Sequence, residues 1–207
     1  MPVVQPRCAA FPEIIEATRG GVVCEPRNVA SLADAVEALV RELPVPLIAF
    51  AGAPFTVASY LIEGRPSRTY EHTKRLMHTE PALWHALMER LVQHAVASVE
   101  SQLANGARAF QLFDSWAGTL SRADYDRFVL PHSTAVFAQL RTLHPDAPGI
   151  HYGVGCDHLL ESMYAAGPTV LGLDWRTSIA GARARMGERL VVQGNLDPVL
   201  ALAGTDV

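Results

Sequence analysis

Leu32, Ala35, Val36, Leu39, Val40 and Leu43 recur three and four positions apart, the spacing that lines apolar side chains along one face of a helix. Ser31 can cap this segment. Pro44 ends it, because proline has no amide proton to continue the ladder. The period then changes. Leu47-Ile48-Ala49-Phe50-Ala51-Gly52 is apolar at successive positions, as in a parallel strand covered on both faces. From Ser67 to Asn105 the text is mostly helical. Pro81 suits the start of a turn, Leu83, Leu87, Leu91, Ala95, Val99 and Leu103 form one stripe, and Asn105-Gly106 supplies the stop.

The alternation repeats. Strands are predicted at Ala109 to Phe113, Gly149 to Val154, Val170 to Trp175 and Leu190 to Asn195. Helices are predicted around Tyr125 to Leu143, Asp157 to Ala166 and Ile179 to Met186, with another opening at Asp197-Pro198. By contrast, residues 1–30, with Pro2, Pro6, Pro12, Pro26 and Gly20-Gly21, read as irregular apart from a short helix from Pro12 to Thr18. Five βα units in line, with no hairpin signal and no linker, predict a parallel α/β fold in one domain over 1–207.

A doubly wound sheet and a (β/α)8 barrel both fit such an alternation. A dinucleotide-binding fold would carry GxGxxG after its first strand. Gly153-Val154-Gly155 offers only GxG, and no P-loop is present, which favours the barrel. A barrel has eight strands in about 250 residues, so 207 residues with five strands read as a partial barrel of about five of eight βα units.

Composition narrows the function classes. Seventeen basic and 21 acidic residues leave a net charge of −4, whereas a dedicated nucleic-acid binder carries a basic surplus. Cys8, Cys24 and Cys156 are widely spaced with no CxxC, which fits a reducing compartment rather than a disulfide framework. The uncharged stretch from Pro44 to Ile62 contains Pro46, Gly52 and Pro54 and does not read as a membrane span. The N-terminus shows no secretory pattern, so the expected location is the cytoplasm.

In either α/β fold chemistry collects beyond the carboxyl ends of the strands. Residues there are Tyr60, Asp114, Ser115, Asp174, Asn195 and Asp197, with His151 on the third of these strands, where it can point into the barrel. Each aspartate is also a good helix N-cap. Ser115 lacks a GxSxG setting and suits hydrogen bonding better than nucleophilic attack. His72, His78, His85 and His94 read as surface residues. His151, Cys156 and His158 lack zinc-ligand spacing, so no metal site is expected. Arg65 and Arg68 follow Glu63-Gly64 as a small basic cluster able to meet carboxylates.

Five ordered segments carry a resemblance. Phe50-Ala51-Gly52-Ala53-Pro54-Phe55-Thr56, continuing through Ser59-Tyr60-Leu61-Ile62-Glu63-Gly64, resembles the GAP(F/W)T…YxxEG segment of the uroporphyrinogen decarboxylase family. Gln111 to Gly118 is similar to its QLF(D/E)S-x-AG strand end. Ile150 to Gly155, Val170 to Trp175 and Gln193-Gly194-Asn195-Leu196-Asp197-Pro198 match three further signatures in order, and the similarity runs from about Leu47 to Gly204.

The resemblance implies a (β/α)8 barrel, a homodimer, no cofactor, and removal of CO2 from the four acetate side chains of uroporphyrinogen to give coproporphyrinogen in haem synthesis. Protonating the pyrrole carbon beside an acetate makes the ring an electron sink. The reaction therefore calls for a proton source and a fixed negative charge facing the pyrrole nitrogens. By the same resemblance Tyr60 lies by the reacting acetate, Ser115 contacts a substrate carboxylate, and Gly52 to Thr56, with Phe55, and Asp114 to Gly118 line the cleft. The family's earlier aspartate and RQAGR segment find no match among Arg7, Arg19, Arg27 and Asp34, and its late GHG-type histidine has no counterpart before Val207. The expectation is thus a shortened, inactive chain that self-associates through unpaired edges. Two alternatives are a cobalamin- or coenzyme-M-type methyltransferase, against which Gly153 stands where a ligand cysteine belongs, and a porphyrinogen-binding protein without catalysis.

Overall fold

The structure is a computed structural model, and it describes residues 3–7, 11–19, 21–26, 28–65 and 67–202. Gly20, Cys8 and Arg27, which entered the sequence reading, lie outside the described residues.

Five strands form one parallel sheet in chain order. They are β3 (Ile48–Gly52), β4 (Ala109–Phe113), β5 (Gly149–Tyr152), β6 (Val170–Gly172) and β7 (Val192–Gln193). The strand centres agree with the sequence expectation, but three strands stop early. Beyond Tyr152, Gly172 and Gln193 the backbone leaves the ladder to form the loops of the candidate site. Register pairs Phe50 with Gln111, Phe113 with Tyr152, Leu112 with His151, and Tyr152 with Gly172. Because successive side chains point to opposite faces, Ala49, Ala51, Phe110, Leu112, His151 and Leu171 share one face. Ile48, Phe50, Gln111, Phe113 and Tyr152 share the other.

Residues 3–24 depart from the irregular reading. The predicted short helix forms as α1 (Phe11–Thr18), but its flanks form β1 (Val3–Pro6) and β2 (Gly21–Cys24), paired in parallel as a separate sheet. Strands of four residues bounded by Pro2, Pro6 and Gly20 are too short to show a period. α2 (Val29–Glu42) follows as predicted, with a different cap. The Asn28 side chain accepts from the Ser31 amide at 3.1 Å, while the Ser31 hydroxyl accepts from the Glu25 amide at 2.9 Å.

α3 (Pro54–Glu63) begins directly after β3, where the sequence showed only the tail of an apolar run. Pro54 sits at its first turn, which needs no amide proton there. Gly64 closes it at φ +61°, a left-handed conformation that glycine adopts without strain. The long predicted helix is two, α4 (Glu71–Thr79) and α5 (Pro81–Ala104), divided at Glu80-Pro81. Likewise α6 (Arg122–Phe128) and α7 (Leu130–Leu143) divide at Val129. α8 (Leu160–Ala165) and α9 (Ile179–Met186) follow, and beyond Asp197-Pro198 the described residues form a short 3-10 turn at Leu200–Leu202.

The core lies on one side of the sheet. Ala49, Ala51, Phe110 and Leu112 pack with Val92, Val96 and Val99 of α5 and Val136, Phe137 and Leu140 of α7. A second cluster under the strand ends joins Phe55, Trp84, Tyr125, Phe128, Leu159, Met163 and Leu171. The other face is open at β3, where Ile48 and Phe50 are 41% and 56% exposed. This corrects the expectation of a strand covered on both faces: α5 and α7 both pack on one side. β3 is also an edge strand, and Gln102 of α5 partly occupies that edge. Its amide accepts from the Phe50 N–H at 3.1 Å and donates to the Phe50 carbonyl at 2.9 Å, satisfying groups that would otherwise invite another strand. Among the described residues no helix is long and apolar enough to cross a membrane.

Candidate active site

The loops beyond β3, β4, β5 and β6 meet at one end of the sheet. Ala53 donates its amide to the Phe113 carbonyl at 2.8 Å, and Asp114 donates its own to the Tyr152 carbonyl at 2.7 Å. Each loop thus leaves its strand tied to the next. A Cβ on Gly118 would lie 2.3 Å from the Val154 carbonyl oxygen and 2.7 Å from that of Gly155. Only glycine lets these two backbones touch. Gly155, at φ +66°, turns its amide onto the Asp174 carboxylate at 2.7 Å. That same carboxylate accepts from the Arg176 amide at 3.2 Å and the Thr177 hydroxyl at 3.1 Å. Asp174 is therefore a buried staple, which is the capping role its residue type allows. Asn195 donates its side-chain amide to the Thr177 carbonyl, and Asp197 accepts from the Val199 amide at 2.9 Å. Both act locally.

Of the four residues that the resemblance assigns to the substrate, two reach the rim. Tyr60 is 57% exposed, and its ring stands edge-on to Trp116 at 6.0 Å. Ser115, half-buried, is the residue before Trp116. Tyr70 packs on Trp116 from another side at 5.6 Å. Burial pushes its hydroxyl up to about 12, with Tyr60 and Glu63 adding to the effect. Burial works against the Glu63 carboxylate as well, but hydrogen bonds from the Thr73 amide and hydroxyl, both 2.9 Å, outweigh it and hold this group below its ordinary value.

The other two lie beneath. Phe55 is fully buried, its ring centre 6.1 Å from that of Trp84 in an edge-on contact, so its side chain does not reach the surface. Asp114 is also fully buried, since it continues the alternation of Phe110 and Leu112 on the helix side. Its Oδ1 accepts from the Thr56 hydroxyl at 3.2 Å, and Thr56 Oγ1 in turn accepts from the Trp116 amide at 3.4 Å. Thr56 therefore links α3 to the loop that carries Ser115.

His151 differs from its expected direction. Pairing with Leu112 turns it into the helix layer, where it is fully buried and its Nδ1 lies 3.2 Å from the Met163 carbonyl. Of the histidines read as superficial, His72, His78 and His94 are exposed. His85 is half-buried, with Nδ1 2.8 Å from Nε2 of the buried His132. Arg65 and Arg68 are exposed in the loop after α3. Among the described residues no group of three or more histidines, cysteines or acidic residues is placed to hold a metal ion. Two residues of this site entered the sequence analysis only as members of the cleft-lining stretches Gly52 to Thr56 and Asp114 to Gly118, with no role of their own. Trp116 joins Tyr60 to Tyr70, and Thr56 joins Asp114 to Trp116. Both stand inside the quoted motifs, which was the available signal.

A parallel α/β sheet whose glycine-tight loops gather at the strands' carboxyl ends, around an exposed tyrosine and a serine, has the architecture of a barrel-type protein with a candidate site at the strand ends. The family model for uroporphyrinogen decarboxylase (URO-D) matches residues 4–207, and the chain belongs to the uroporphyrinogen decarboxylase family. Its five-stranded sheet is accordingly part of a (β/α)8 barrel. Three relatives bear the name uroporphyrinogen decarboxylase. That of Rhodococcus erythropolis is 51% identical over 183 residues, 88% of this chain and 51% of the relative. That of Saccharopolyspora erythraea is 51% identical over 188 residues, 86% of this chain and 52% of the relative. That of Salinispora tropica is 54% identical over 171 residues, 82% and 46% of the two chains. The chain spans about half the length of the curated relatives it matches. The family match reaches back to residue 4, further than the motifs beginning near Leu47.

Proposed function

We propose that this chain supplies the face on which uroporphyrinogen is bound and its four acetate groups are decarboxylated to give coproporphyrinogen, in haem and porphyrin biosynthesis. The observation that carries this reading is the exposed Tyr60 ring against Trp116, at the loop that presents Ser115. In this reading the Tyr60 hydroxyl stands by the reacting acetate and donates to the charge that develops there. Ser115 donates to a substrate carboxylate. Phe55 contributes through its backbone in the first turn of α3, where helix amides have no partner within the helix. Asp114 supports the Ser115 loop from below. The ligand is a small acidic metabolite, no cofactor takes part, and the protein works in the cytoplasm as a homodimer.

A second reading, binding without turnover, draws on the engagement of Asp114 and Asp174. Both carboxylates are taken up by protein hydrogen bonds instead of facing the rim, while the chemistry asks for a negative charge opposite the pyrrole nitrogens. Anaerobic incubation with uroporphyrinogen, followed by oxidation and chromatography of the porphyrins, separates the two. Coproporphyrin as product, formed at least about tenfold more slowly by Tyr60→Phe, supports the first reading, since losing one hydrogen bond to the transition state costs about that factor. Binding that Ser115→Ala weakens, with no product, favours the second. No binding by the folded chain overturns both.

A further inference from the structure

The helix side of the sheet holds a polar pair that the proposed reaction does not touch. His151 Nε2 and Asp114 Oδ2 lie 3.7 Å apart, both residues are fully buried, and neither of these two atoms has a hydrogen-bond partner. The other atom of each group is committed. His151 Nδ1 faces the Met163 carbonyl at 3.2 Å. A carbonyl only accepts, so Nδ1 carries a proton. Asp114 Oδ1 accepts from the Thr56 hydroxyl. A neutral imidazole protonated at Nδ1 offers Nε2 as an acceptor, and an ionised carboxylate is also only an acceptor. Without one more proton, two lone-pair atoms would face each other in the core, beside an uncompensated buried charge.

From this geometry we propose that Asp114 and His151 hold one extra proton between Oδ2 and Nε2, as a pair that is neutral overall and that positions the Ser115 loop. The bookkeeping is simple. The proton comes from solvent on folding, one N–H···O contact forms, and no other bond changes. Every element packed around the pair leaves it as the local proton holder. α3 presents Thr56, α7 presents Ser133 and the Phe137 ring, 5.2 Å from that of His151, and α8 presents the Met163 carbonyl. From α6 comes Tyr125 and from the turn after β5 comes Cys156. Burial, and then the nearby Asp114 carboxylate, push both groups well above their ordinary values, so each stays protonated and uncharged. Asp174, the next carboxylate, is occupied by Gly155, Arg176 and Thr177.

The pair has a consequence for the site. With Oδ2 satisfied by the shared proton, Oδ1 remains an acceptor for Thr56, and Thr56 remains an acceptor for the Trp116 amide. Ser115 lies between Asp114 and Trp116 in the chain, so its place at the rim follows from this linkage. Only that consequence rests on the proposed function. The proton itself is measurable without substrate, so its failure and a failure of the decarboxylase reading are distinguishable.

The experiment is nitrogen-15 and carbon-13 NMR of the whole chain, labelled at histidine ring nitrogens and aspartate carboxyls. Over the range from about pH 6 to about pH 8.5, where an ordinary histidine loses its charge, His151 and Asp114 together should keep one proton more than a neutral ring plus a carboxylate. It shows either as a second ring N–H or as a protonated carboxyl. Asp114→Asn should remove the extra proton. Its amide N–H can donate to Nε2, leaving His151 neutral with its single proton on Nδ1 across the same range. A bare Nε2 with an ionised Asp114 in the unmodified chain overturns the proposal. The unmodified chain alone decides the matter if the variant does not fold.

Discussion

Along β3, Ala49 and Ala51 pack with α5 and α7 side chains and are buried, while Ile48 and Phe50, one position away, stand 41% and 56% exposed. The contrast continues on β4 and β5. Leu112 and His151 are fully buried among helices, whereas Phe113 turns its ring to Phe50 at 6.0 Å and Tyr152 at 5.8 Å on the opposite side. The same backbone thus divides two kinds of environment. On the closed face water is excluded, so apolar volume carries stability and every polar group must find a partner or change its protonation. The open face has aromatic surface in reach of solvent, continuous with the rim where Tyr60 and Ser115 stand. Stability and the proposed ligand binding are therefore separable by face.

The largest expected effect tests the closed face. Leu112 is fully buried between the α5 and α7 side chains, and Leu112→Ala should lower unfolding free energy by about 3 kcal/mol through lost burial and a residual cavity. Urea denaturation reads this as a lower midpoint at an unchanged slope. A loss below about 1 kcal/mol would show that the helix layer does not close over the strand.

Next in size is a pH effect in the same helix layer. Burial, with His85 adding to it and Glu89 opposing, holds His132 down to about 4. An unfolded histidine near 6.5 therefore takes up a proton that the folded one refuses. The sign follows. The contribution is fully present above about pH 6.5 and is lost as pH falls toward 4, at most about 2 kcal/mol after allowing for screening at this partly covered site. His132→Gln removes that group from the titration, so its stability between about pH 7.5 and about pH 4.5 should fall less steeply than that of the parent chain. Parallel urea curves at the two pH values check it, and equal slopes with pH would refute the role of His132.

These two faces were unequally legible in the sequence. The five parallel strands and most helices show in the apolar periods, because burial against helices leaves a repeating record. Which face stays open does not show. Ile48 and Phe50 are as apolar as Ala49 and Ala51, and only the side on which α5 and α7 pack separates them. Pro44 and Pro81 marked boundaries through their own chemistry, while the division of α6 from α7 at Val129 went unread although Pro131, in the first turn of α7, signals it. Tyr60 and Ser115 were found by motif and reach the rim. Asp114, in the same motif, goes beneath because it follows Leu112 by two positions. Strand parity would have indicated this once the register was fixed. The closeness of Gly118 to Val154 depends on two loops far apart in sequence, which no local pattern encodes.

The smallest stability effect is the most telling for the open face. Phe50 is 56% exposed, and its backbone groups are held by Gln102 whatever its side chain. Phe50→Ser should therefore change unfolding free energy by no more than about 0.5 kcal/mol, the range for exposed positions. If the open face receives the ligand, the same substitution should weaken binding of a uroporphyrin by about threefold to tenfold, as expected for the loss of one aromatic contact. Urea denaturation and a fluorescence titration on one preparation give both numbers. A stability loss of about 2 kcal/mol would mean that Phe50 is packed against something in solution. Unchanged affinity would confine the ligand to the rim around Tyr60 and Trp116. The pairing of a silent stability change with weakened binding is what distinguishes a ligand face from an uncovered core, because an uncovered core gains nothing from an exposed phenylalanine that serine would take away.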